Sequence, residues 1–139
     1  MKFPVCFLIT MLLQNAAAND TPDFSVVIKD YESYIKNTKD LCSVTSNADP
    51  KMVDDLLKNG IFFEDENLKK YMACIYLYLG IVNPEGIINK DTVIEYVGVD
   101  DSKIKEVIYR MCSYPKGRNV TDIVWNLIKC IFKTVQSLN

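Results

Sequence analysis

The sequence predicts an all-α fold, a compact single domain of about six helices. Apolar residues recur at i, i+3, i+4 and i+7 in one segment after another, the period of a helix with one buried face. No segment alternates apolar and polar residues at period two, as a half-buried strand would. Asp, Asn, Pro and Gly stand at the edges of the apolar stripes, where helix caps and stops belong.

Residues 1–18 read MKFPVCFLITMLLQNAAA. Lys2 supplies a positive start, Phe3 to Leu13 an apolar run, and Ala16 and Ala18 the small residues of a cleavage site. The expectation is a secretory signal cut before Asn19, a domain over 19–139, and an extracellular product. The run is eleven residues long, too short to span a bilayer, so no stable membrane insertion is expected. Cys6 leaves with the leader.

Phe24, Val27, Ile28, Tyr31 and Ile35 form the stripe of a first helix over 22–39, with Cys42 just beyond it. Asp49-Pro50 opens a second helix carrying Met52, Val53, Leu56 and Leu57, and Gly60 stops it. Asp65 or Asn67 caps a third, which runs through Leu68, Tyr71, Met72, Ile75 and Leu79 to Gly80. Residues 82–89 contain Pro84 and Gly86 and read as a loop. Val93, Ile94 and Val97 mark a short fourth helix ending at Gly98. Asp100 or Asp101 caps a fifth, with Ile104, Val107, Ile108 and Met111 on its face. A sixth spans about 121–136 and is so apolar that a central, buried place is expected.

Composition narrows function. Without Lys2 the chain has fifteen basic and eighteen acidic residues, a net charge of −3, with no basic block to hold nucleic acid. It has no histidine, which removes Ser-His and Cys-His catalysis, His-ligated zinc and an imidazole pH switch. Asp54-Asp55 and Asp100-Asp101 lack the spaced oxygen ligands of a calcium loop, and neither metal nor cofactor is expected.

Four cysteines remain after the leader, Cys42, Cys74, Cys112 and Cys130. An even count in a short exported chain reads as a disulfide framework. Four cysteines allow three pairings, and the sequence does not choose among them by physics. If Cys42 joins Cys74 and Cys112 joins Cys130, each bond contributes about 3–4 kcal/mol on the chain-entropy account.

Helices three, five and six offer more apolar side chains than a small bundle needs. Leu68, Met72, Ile75, Leu79, Ile108, Met111, Val124, Trp125 and Ile128 are the candidates to line a cavity, joined by Phe63, Tyr76 and Ile94. Phe62-Phe63 adjoins Glu64, Asp65 and Glu66 and reads either as a cavity mouth, whose carboxylates would supply any acid-driven release, or as an aromatic pair packed on the second helix. Tyr71, Tyr76 and Tyr109 are the candidates for a ligand hydrogen bond. Asn119-Val120-Thr121 matches a glycosylation site and equally a helix cap.

The cysteine arrangement resembles the insect odorant-binding proteins, in the subgroup that has lost two of six cysteines. The family's second and third cysteines lie four positions apart, and Lys70 stands that far before Cys74. Its fifth and sixth lie nine apart, and Thr121 stands that far before Cys130. The family pairs its second with its fifth, the two missing together here. The segments Tyr71-Met72-Ala73-Cys74, Leu79-Gly80-Ile81 and Gly86-Ile87-Ile88 also look like the family's third helix and following loop. The resemblance implies six helices around an internal apolar cavity and the pairing Cys42–Cys74 and Cys112–Cys130. It implies a secreted, non-catalytic carrier of small hydrophobic odorants or pheromones, with a chemosensory membrane receptor as a further partner. The competing expectations are a secreted helical signalling or venom component acting through its surface and, more remotely, a lipid-modifying enzyme.

Overall fold

The computed structural model describes residues 27, 28, 33, 35, 36 and 38–138. Among these residues there are six helices and no strand: α1 Lys39–Ser46, α2 Pro50–Asn59, α3 Glu66–Tyr78, α4 Lys90–Tyr96, α5 Ser102–Cys112 and α6 Val120–Leu138. One isolated antiparallel bridge, Val82 with Ile88, closes the loop between α3 and α4.

Local chemistry places most helix starts. The Asp49 carboxylate accepts from the Lys51 N–H at 2.9 Å, with Pro50 at the first helical position of α2. Asp65, rather than Asn67, caps α3 by accepting from the Leu68 N–H at 2.9 Å. Asn89 caps α4, Asp101 caps α5, and Asn119 caps α6 by accepting from the Asp122 N–H at 2.9 Å. Gly60 ends α2 at φ +64°, and a Cβ there would sit 2.3 Å from the Phe132 ring. Both the turn and the close approach of α6 therefore require glycine at that position.

The expected first helix falls largely outside the described residues. Of its stripe, Val27, Ile28 and Ile35 are described and all are buried. Cys42, expected just beyond a helix, lies inside α1, which begins where the first helix was expected to end. Leu41 and Val44 beside it are exposed, so α1 shows no apolar stripe that periodicity could detect.

The helix α6 lies against both α3 and α5, while α1 packs on α3 and α4 on α5. Its buried side is wide, from Val124 and Trp125 to Phe132 and Val135. It is not surrounded by protein, however: Asn126, Lys133 and Gln136 make a narrow exposed stripe. Leu68, Tyr71, Met72, Ile75, Ile108, Leu127 and Ile128 are completely buried between these helices. Each such side chain contributes about 1.5–3 kcal/mol relative to exposure.

Two disulfides tie the helices in pairs. Cys42 of α1 bonds Cys74 of α3, and Cys112 of α5 bonds Cys130 of α6, with Cα–Cα distances of 5.6 and 5.7 Å. The pairing implied by the family resemblance is the pairing observed.

Candidate functional site

Eight of the twelve cavity candidates belong to one buried cluster. These are Leu68, Met72, Ile75 and Tyr76 on α3, Ile108 on α5, and Val124, Trp125 and Ile128 on α6. Phe63 and Leu79 are half-buried at its margin. Met111 is not in the interior: it is 64 % exposed. The buried line of α5 runs through Ile108 and Cys112, and the bond from Cys112 to Cys130 holds that line toward α6. Met111, one position earlier, is left on the outer flank. Ile94 also stands apart, lining an outer pocket of about 420 Å³ with Asp91, Lys105 and Tyr109.

The three tyrosines separate by burial. Tyr109 is 40 % exposed, while Tyr71 and Tyr76 are buried. Among the described residues the Tyr76 hydroxyl has no hydrogen-bond partner. Burial pushes its pKa far up, so the phenol stays neutral and can donate. A buried hydroxyl without a partner costs about 1–3 kcal/mol, an expense that a bound carbonyl or hydroxyl would remove.

At one edge of the cluster the aromatic pair is used differently from expectation. Phe62, not Phe63, meets Trp125 edge-on at 5.4 Å, and it meets Phe132 at the same distance. The Trp125 indole N–H donates to Glu64 at 3.4 Å. Glu64 also pairs with Lys69 of α3 at 2.9 Å and with Lys129 of α6. Both ammonium groups lie within 6 Å of the Trp125 ring, Lys69 at 5.9 Å and Lys129 at 5.7 Å.

Hydrogen bonds from Lys129 and then Lys69 hold the Glu64 carboxyl down to about 2, and the bond to Glu64 raises Lys69 in turn. Glu64 therefore drops out of the carboxylates expected to titrate at a mildly acidic cavity mouth. No sequence pattern signalled this cluster, because Glu64 and Trp125 are 61 positions apart.

The exposed Asn119 uses its side-chain oxygen to cap α6. Lys70 and Thr121, standing where the resemblance puts the missing pair of cysteines, line one groove of about 500 Å³. Among the described residues no group of His, Cys, Asp and Glu could hold a metal ion. No helix among them is long and apolar enough to cross a membrane.

The fold defines a small all-helical domain in which two disulfides tie four helices around an apolar interior. The PBP/GOBP family profile matches residues 27–134, and the chain belongs to this family of odorant-binding proteins. General odorant-binding protein 69a of Drosophila melanogaster is 21 % identical over 89 residues. That stretch is 64 % of this chain and 60 % of the relative, so the chain spans about three fifths of the relative's length.

Proposed function

We propose that the chain is a secreted, non-catalytic carrier of small hydrophobic compounds of the odorant or pheromone type. In this reading residues 1–18 are a signal peptide, and a chemosensory membrane receptor receives the loaded carrier. Ligand enters among Leu68, Met72, Ile75, Ile108, Val124 and Ile128, which separate it from water. Its one polar atom accepts from Tyr76. The observation that carries the reading is that hydroxyl, 1 % exposed and without a partner in an otherwise apolar cluster. Family membership supports it independently.

The test is displacement of an apolar fluorescent probe, with binding expected near micromolar, about −8 kcal/mol. Tyr76→Phe is expected to weaken a long-chain alcohol about tenfold and to leave the matching alkane unchanged. The unliganded variant should be as stable as the parent or about 1 kcal/mol more stable, since an unsatisfied group has been removed. Probe fluorescence that stays at its buffer value with excess protein would refute the carrier. Equal loss for alcohol and alkane would refute the role of Tyr76.

A further inference from the structure

The groove holding Lys70 and Thr121 lies outside the buried cluster, between α1, α3 and the first turn of α6. Its volume of about 500 Å³ is that of a small-molecule site. The walls are largely apolar, formed by Leu41 of α1, Ala73 and Leu77 of α3, and Val120 of α6. Leu41 is 57 % exposed, an apolar side chain left to water on the groove rim.

The polar groups in this groove are all of one kind. Among the described residues Lys70 is its only ionisable side chain apart from the Tyr78 phenol, and no carboxylate lines it. Lys70 makes no ion pair among the described residues, whereas its neighbour Lys69 is engaged by Glu64 and Glu66. Thr38 also lines the groove, but its hydroxyl is buried beneath the wall, with no hydrogen-bond partner among the described residues. A cation without an ion pair among the described residues and the Thr121 hydroxyl therefore line the same apolar trough. That is donor chemistry awaiting an acceptor.

We propose that this groove is a second binding site, taking a free straight-chain carboxylate. The alkyl chain lies along Leu41, Ala73, Leu77 and Val120, with each buried methylene contributing about 0.8 kcal/mol. The carboxylate takes the Lys70 ammonium as its counter-ion, and the Thr121 hydroxyl donates to it. Selectivity follows from charge: an alcohol of equal length loses the ion pair, and an alkylammonium meets Lys70 with like charge.

Calorimetric titration of the full mature chain with decanoate and with decanol tests the site. Lys70→Gln is expected to weaken decanoate about tenfold, the loss of one charge-assisted contact, and to leave decanol unchanged. Leu41→Glu places a carboxylate on the exposed rim without disturbing the core and should weaken decanoate at least as much. Tyr76→Phe should leave decanoate binding at the groove intact. Decanoate affinity equal to wild type in both groove variants overturns the proposal. So does loss of all decanoate binding in Tyr76→Phe, which would assign the carboxylate to the interior. Either result leaves the interior carrier standing, because its own test uses the uncharged alcohol and alkane.

Discussion

The seams of this molecule are held in two different ways. Between α1 and α3, and between α5 and α6, a covalent bond fixes the register. Between α3 and α6 there is no such bond among the described residues. That seam relies on packing and on a polar clasp in which Glu64, just before α3, reaches Lys69 on α3 and both Trp125 and Lys129 on α6. Beside the clasp, at Lys70 and Thr121, the same seam opens into a groove. The comparison teaches that a seam without a covalent bond among the described residues is held by an ionic clasp and leaves a groove beside Lys70 and Thr121. A covalent seam is indifferent to pH and salt within the stable range. An exposed ionic clasp is not.

The most direct way to break the contrast is to make the seams alike. Lys70→Cys combined with Thr121→Cys is expected to form a third disulfide, closing a loop of about fifty residues and raising stability by about 4 kcal/mol. Mass spectrometry and urea unfolding check it. Two free thiols in the folded double variant would show that the α3–α6 seam is set too wide for a bond. Removing an existing staple should act in the opposite direction. Cys42→Ala with Cys74→Ala is expected to cost about 3–4 kcal/mol, read as a lower urea midpoint. A loss well under 1 kcal/mol would mean that packing of α1 on α3 suffices without the bond.

The smallest expected effect belongs to the clasp. Glu64 has a folded value near 2, below its ordinary 4.5. Its stabilisation is therefore fully present above the ordinary value and is lost as pH falls through about 2. Glu64 is 60 % exposed, and solvent screening keeps the contribution under about 1 kcal/mol. Glu64→Gln should lower the urea midpoint slightly at pH 7 and by less at pH 2, where the carboxylate is about half protonated. Identical midpoints at both pH values would reduce the seam to packing alone.

Several features of the structure were already legible in the residues. The caps at Asp49, Asp65 and Asp101 act on N–H groups two or three positions ahead, so a short window of sequence contains the whole interaction. The stripes of α2, α3, α5 and α6 are likewise properties of a period, and they mark the all-α class. The placement of Cys42 was not legible, because α1 has no apolar face to announce it.

By itself, then, the sequence determined where five helices run, that four cysteines lie on or beside them, and that no imidazole would take part. Only the tertiary structure decided which side chains became site and which became surface. Met111 and Ile108 share a stripe by spacing, yet one is 64 % exposed and the other fully buried, because the buried line of α5 continues to Cys112 rather than Met111. Tyr71 and Tyr76 look interchangeable, yet Tyr76 is the one whose hydroxyl is left without a partner. Phe62 rather than Phe63 reaches Trp125. Helical periodicity determines a face to within about one residue in a turn, whereas a site depends on distances of a few ångströms between groups far apart in the chain.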